Sequence, residues 1–104
     1  MLNATSMDTP RPQHENKLWI ARKKAGLEQK SVALLMGYKS VSPISEYETG
    51  RLLPSLSTAL RLSIIYNTPL PELYAALYAE MEQEVSSLRK NMPKYQFMQR
   101  GPRL

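Results

Sequence analysis

The sequence predicts an all-α protein of five helices, and three observations carry that prediction. Apolar residues recur at three- and four-residue steps in five successive stretches, which gathers them on one face of a helix. Glycines stand where the first three stretches stop, at Gly26, Gly37 and Gly50, the position where a left-handed residue ends a helix. Residues that favour helix starts stand where stretches begin: Asn16, Ser42 with Pro43, Ser55, and Pro69 with Pro71.

Residues 1–15 are polar, contain Pro10 and Pro12 and show no apolar period, so they read as a flexible arm. The arm is either a tail without a role or a basic strand reaching a DNA groove through Arg11 and Lys17. The first helix is NKLWIARKKA, from Asn16 to Ala25, with Asn16 as N-cap and Leu18, Ala21, Arg22 and Ala25 on one face. That spacing sets Arg22 on the apolar stripe, where its charge needs a partner. Lys23 and Lys24 are either neighbours of phosphate or a solvated helix end that complements the dipole.

The next two helices lie within QKSVALLMGYKSVSPISEYETG, from Gln29 to Gly50. Val32, Ala33 and Met36 form the inner stripe of the first, and Gly37 ends it. In the second, Ile44 and Tyr47 face inward with Val41 before them, leaving Ser42, Ser45, Glu46 and Thr49 outward. After Gly50 the connector RLLPSL leads to a helix from Leu56 to about Tyr66, capped by Ser55, with Leu56, Ala59, Leu60, Ser63 and Ile64 as its inward stripe.

Asn67 and Thr68 break that helix, and a long fifth one follows. Leu70, Leu73, Leu77, Met81, Val85, Leu88 and Met92 keep one apolar seam for about six turns. Its first half can cover the core. Its second half, EMEQEVSSLRK, extends past that core, so it either pairs with a second copy of the chain or frays after about Met81. The closing stretch MPKYQFMQRGPRL has prolines, Lys94, Arg100 and Arg103 without a period. It reads as a loose tail, with docking of Tyr95, Phe97 and Met98 on a partner as the competing reading.

Composition narrows the function. The 104 residues suit one domain with a modest core, and the formal net charge of +5 suits a polyanionic partner without requiring one. Cysteine is absent, so no disulfide or thiolate metal site is expected. The one histidine, His14, lies in a polar segment between prolines and glutamate and is assigned no role. With no Ser/His/Asp set and no glycine-rich phosphate loop, neither an enzyme, nor a catalytic residue, nor a cofactor, nor a metal site is expected. The N-terminus lacks the basic start and apolar stretch of a signal peptide, and no run approaches the roughly 20 apolar residues of a membrane span. The expectation is a cytoplasmic protein without a membrane partner.

In a helix-turn-helix, two helices cross closely, which demands a small residue at the contact, a glycine after the first helix and apolar residues on the inner side of the second. Ala33, Gly37, Ile44 and Tyr47 meet those demands. The segments LEQKSVALLMG (27–37) and ISEYETGRLLPSL (44–56), with the helix ending in TPLPELY, resemble the lambda-repressor-like family of DNA-binding domains, also called the Xre or Cro/C1 type. The resemblance spans about residues 17–78. It implies a five-helix lambda-repressor-like helix-turn-helix domain over 16–78, to which the apolar seam and the aperiodic end add a C-terminal helical extension at 79–92 and a flexible tail at 93–104.

What the resemblance implies for residues is specific. Gln29 approaches the DNA backbone and braces the recognition helix, against the alternative of a helix-start cap. Glu48 packs inward against Arg22 as a structural ion pair. Thr49 and Arg51 meet phosphate around Gly50, and Lys39, Ser40, Ser42 and Ser45 line the start and outer face of the recognition helix, about 42–49. Glu46 on that face either accepts from a cytosine amino group or simply faces solvent. One departure stands out: YKSVSP between Gly37 and Ile44 is one residue longer than the commonest family spacing, and Ser42 with Pro43 predicts a late, short recognition helix.

The function so implied is a transcriptional regulator that binds double-stranded DNA sequence-specifically as a homodimer, and the seam of the C-terminal helix is the candidate place for the second copy. The alternative is a protein-interaction module, antitoxin-like or a regulatory partner, that binds another protein through its C-terminal helix and tail.

Overall fold

The computed structural model describes residues 14–93, so the expected arm up to residue 13 and the tail from residue 94 lie outside the described residues. Six helices and no strands occur among them: α1 (Leu18–Lys24), α2 (Gln29–Met36), α3 (Ser42–Glu48), α4 (Leu56–Tyr66), α5 (Leu70–Leu73) and α6 (Ala75–Lys90). The all-α expectation holds. No helix among the described residues is long and apolar enough to cross a membrane.

The core forms where α1 to α5 converge. Leu18, Ala21, Val32, Ala33, Met36, Ile44, Leu62, Tyr66, Leu73 and Tyr74 make one buried cluster, with Leu27, Tyr38, Tyr47, Ile65, Leu70 and Leu77 packed around it. The inner stripes expected for α2 and for Ile44 are therefore present. α1 is shorter than its apolar pattern suggests: it begins at Leu18, and Ala25 is its exposed C-cap. Asn16 stands one residue before the cap position, and its Oδ1 accepts from the Leu18 N–H at 2.9 Å.

Three further expectations need correction. Val41 is exposed, because it occupies the N-cap position of α3 in a helical conformation instead of preceding the helix as an inward residue. Ser42 is accordingly the first residue of α3 and not its cap; the Ser42 N–H is met by the Ser40 hydroxyl at 3.4 Å. In α4 the buried residues are Ala59, Leu62 and Tyr66, while Leu56, Leu60 and Ile64 face solvent, Ile64 at 77% exposure. Apolar residues line both sides of this helix, so periodicity allows two phases. The buried phase is the one that sets Tyr66 beside Arg22 and Glu48 and lets the chain reverse at Asn67, which is left-handed at φ 51.

The long fifth helix is in fact two. Tyr74, at φ −122 and ψ 52, divides the four-residue α5 from the sixteen-residue α6. The break has a physical cause: the Leu73 carbonyl accepts from the Lys17 N–H at 2.8 Å, tying α5 to the start of α1. The kink also turns the consecutive Leu73 and Tyr74 side chains into the core, which one straight helical face accommodates poorly. α6 then leaves the core, stays helical through Lys90 and buries none of its residues.

Candidate nucleic-acid interface

α2 and α3 are joined by a turn whose conformation only glycine takes without penalty. Gly37 sits at φ 80, its N–H donates to the Leu34 carbonyl at 3.0 Å, and the Tyr38 N–H donates to the Ala33 carbonyl at 2.8 Å. These paired bonds satisfy the last carbonyls of α2 and aim Tyr38 back at the core. α3 ends in the same way. Gly50, at φ 81, donates to the Tyr47 carbonyl at 3.1 Å, and the Arg51 N–H donates to the Glu46 carbonyl at 3.0 Å. Both ends of the α3 segment are thereby fixed in direction.

Besides the packing of Ile44 and Tyr47 on the core, a buried charge cluster holds α3 against the rest of the domain. The Arg22 guanidinium donates from Nε to Glu48 Oε2 at 2.5 Å and from Nη2 to Oε1 at 3.2 Å, with both side chains under a tenth exposed. Arg22 also donates from Nη1 to the Leu27 carbonyl at 3.0 Å, anchoring the α1–α2 connection. Gln29, at the start of α2, donates from Nε2 to Glu48 Oε1 at 3.0 Å. Glu48 is therefore gripped from α1 and α2 at once. Its hydrogen bond raises the Arg22 pKa above the ordinary value, against the opposing effect of burial.

A second clasp comes from ahead of α1. The Asn16 amide donates to the Tyr47 carbonyl at 2.9 Å and to the His14 carbonyl at 2.8 Å, and the His14 N–H donates to the Gly50 carbonyl at 3.0 Å. Carbonyls at the end of α3 are thus met by residues 14 and 16. Sequence reasoning read Asn16 only as a cap, since its side-chain oxygen does serve α1; nothing in the local pattern announces that its nitrogen reaches across the fold.

Tyr66 adjoins this cluster, and Tyr47 neighbours both Tyr38 and Tyr74. Tyr66 is pushed up to about 12 by burial first and then by the Glu48 charge. Tyr47 is also pushed up to about 12, by burial and by the adjacent Tyr38, and Tyr74 likewise, by burial and by Tyr47.

The residues expected to meet DNA lie on one continuous stretch. Lys39, Ser40 and Ser42 are exposed at the start of α3, Ser45 and Glu46 are half-buried along it, and Thr49 and Arg51 are exposed after it. The Thr49 hydroxyl donates back to the Glu46 carbonyl at 3.3 Å. Gln29 is half-buried and adjoins this stretch through Glu48. Lys23, on α1, places its ammonium 5.4 Å from the Trp19 ring centroid, a cation–π contact at the surface.

A family model described as helix-turn-helix matches residues 20–73, more than half of the chain. No curated protein matches the chain. The match runs from within α1 to the end of α5, including the turn at Gly37 and the gripped helix α3. On that fold and that match, the chain belongs to the lambda-repressor-like (Xre, Cro/C1-type) helix-turn-helix family of DNA-binding domains.

Proposed function

We propose that the protein is a sequence-specific transcriptional regulator that lays the helix at about 42–49 in the major groove of double-stranded DNA and works as a dimer. The observation that carries this reading is the grip on Glu48. Arg22 and Gln29 fix α3 through its inner face, so the outer face can be presented to base edges without reorganisation. Short hydroxyls at Ser42 and Ser45 suit close approach to base edges or phosphates, while Lys39 and Arg51 supply charge at the two flanks. Gln29 serves twice: one amide hydrogen is committed to Glu48 and the other is left for a phosphate oxygen. Glu46 opposes phosphate but accepts from a cytosine amino group, trading general affinity for selectivity.

Two copies read half-sites about one helical turn apart, roughly 34–36 Å. The test is co-purification and sequencing of bound genomic fragments, followed by titration of the recovered site at several salt concentrations. Affinity should fall steeply between about 50 and 200 mM salt as counterions are released. A flat salt response would refute the proposal.

The second reading, an interaction module for another protein, is favoured by the exposed Val85 and Leu88 on α6. In that case, Val85→Glu with Leu88→Glu, both at exposed positions outside the core, abolishes capture of the partner and spares the fold. Unchanged capture ends that reading.

A further inference from the structure

α6 leaves the core as a helix of about 24 Å, at 1.5 Å per residue, with no buried residue along it. Its exposed apolar residues are Tyr78, Met81, Val85 and Leu88, and Met92 continues the row just past its end. Successive steps of three, four, three and four are the a and d positions of a heptad repeat. The b, c and f positions hold Ala76, Ala79, Glu80, Gln83, Ser86, Ser87 and Lys90, none of which would suffer from facing water. This is the pattern of a two-stranded seam, with β-branched Val85 at a and Leu88 at d.

We infer that α6 pairs in parallel with α6 of a second copy through Tyr78, Met81, Val85 and Leu88, with Glu84 beside Arg89 of that copy setting the register; this rests on the dimer reading above. Charge complementarity chooses the orientation. In a parallel pair, position g of one helix lies beside e of the next heptad on the other, which puts Glu84 next to Arg89 on both sides of the seam. An antiparallel pair that keeps the same four layers in register instead sets Glu82 against Glu82 and Glu84 against Glu84. Like charges at such short range are unfavourable. The antiparallel arrangement that avoids them slides the helices until Met92 replaces Tyr78 as a layer, and Met92 lies beyond the last helical residue, Lys90.

The apolar groove beside Leu70, Pro71, Tyr74 and Leu77, about 310 Å³, is continuous with the start of the seam at Tyr78 and Met81. It extends the surface that pairing covers toward the core of each copy. A seam of two heptads is short, so association is weak and concentration-dependent.

The experiment uses the full chain, which contains no cysteine. In a Leu88→Cys variant, parallel pairing brings the two new thiols together, and mild oxidation gives a covalent dimer; Ser86→Cys, on the far side of the helix, is the control and stays largely uncrosslinked. By sedimentation equilibrium, Glu84→Lys weakens the wild-type dimer about tenfold by replacing two attractions with two repulsions, and Glu84→Lys with Arg89→Glu restores it. A chain that remains monomeric at about 100 μM overturns the inference. So does a dimer in which position 88 crosslinks no faster than position 86, or a double swap no tighter than the single one. None of these readouts uses DNA, so pairing stands or falls apart from the DNA-binding proposal.

Discussion

Arg22→Ala tests the grip on α3 most directly. In the native fold Glu48 receives two hydrogen bonds from Arg22 and one from Gln29, and its side chain is 5% exposed. Truncating Arg22 leaves a buried carboxylate with one neutral donor. Stranding one member of such a pair costs about 3–5 kcal/mol. That is a large share of the roughly 5–15 kcal/mol that holds a domain folded. At about 4–8 °C per kcal/mol for a domain of this size, the melting temperature should drop by roughly 12–40 °C, read by far-UV circular dichroism. Glu48→Gln should cost a similar amount, since it leaves the guanidinium buried with the Leu27 carbonyl as its remaining strong acceptor. The informative variant is the pair Arg22→Met with Glu48→Leu. Apolar replacements of similar volume remove both desolvation penalties, so most of the lost stability should return. An Arg22→Ala protein that melts within a few degrees of wild type would refute the reasoning, because a buried carboxylate cannot lose its cation so cheaply.

Other perturbations separate the remaining claims. Leu62→Ala should destabilise by about 2–5 kcal/mol and Ile64→Ala by less than about 0.5 kcal/mol in chemical denaturation, because Leu62 is 1% exposed and Ile64 is 77% exposed. The reverse ranking would mean that α4 is turned the other way. Tyr47, Tyr66 and Tyr74 hold their protons to about pH 12 in the folded chain, against an ordinary 10.0. The unfolded chain binds fewer protons in that window, so this contribution is complete below about pH 10 and is lost as pH rises toward 12. Denaturant midpoints that stay level from pH 9 to 12 would contradict it. Arg51→Ala should leave the melting temperature unchanged while lowering DNA affinity for all sequences alike and reducing the salt slope by about one. A change in sequence preference would instead place Arg51 on a base.

Much of this fold was legible because its punctuation is local. Gly37 and Gly50 each occupy a left-handed position that a side chain resists, so the ends of α2 and α3 were readable from two letters. The Arg22–Glu48 contact was reached through family resemblance, with one local clue: an arginine on an apolar stripe requires a counter-charge. The misread parts depended on contacts distant in sequence. The face of α4 was ambiguous because Leu56, Leu60 and Ile64 repeat as regularly as Ala59, Leu62 and Tyr66, and only tertiary packing chooses between them. The break at Tyr74 depends on Lys17, more than fifty residues earlier, claiming the Leu73 carbonyl. A seam that continues in register through residues 70–92 conceals such a break, since the residues on both sides remain apolar.

That break has a thermodynamic consequence. The buried core closes at Tyr74, and beyond Leu77, which packs at its edge, no residue of α6 is packed against it, so the helix-turn-helix unit and the far part of α6 are supported by different interactions. The part of α6 from Tyr78 to Lys90 packs on nothing in the core, and so short a helix is marginal in water, because nucleation is costly and few bonds follow it. Pairing with a second α6 would supply the missing burial and convert a marginal helix into a stable one. Two weakly bound half-site readers then become one bivalent reader, whose second contact forms at the high effective concentration set by the α6 pair. Because unpaired α6 costs the core nothing, the chain can stay folded while monomeric. DNA occupancy would therefore respond to protein concentration through dimerisation, without requiring the reading domain to fold or unfold.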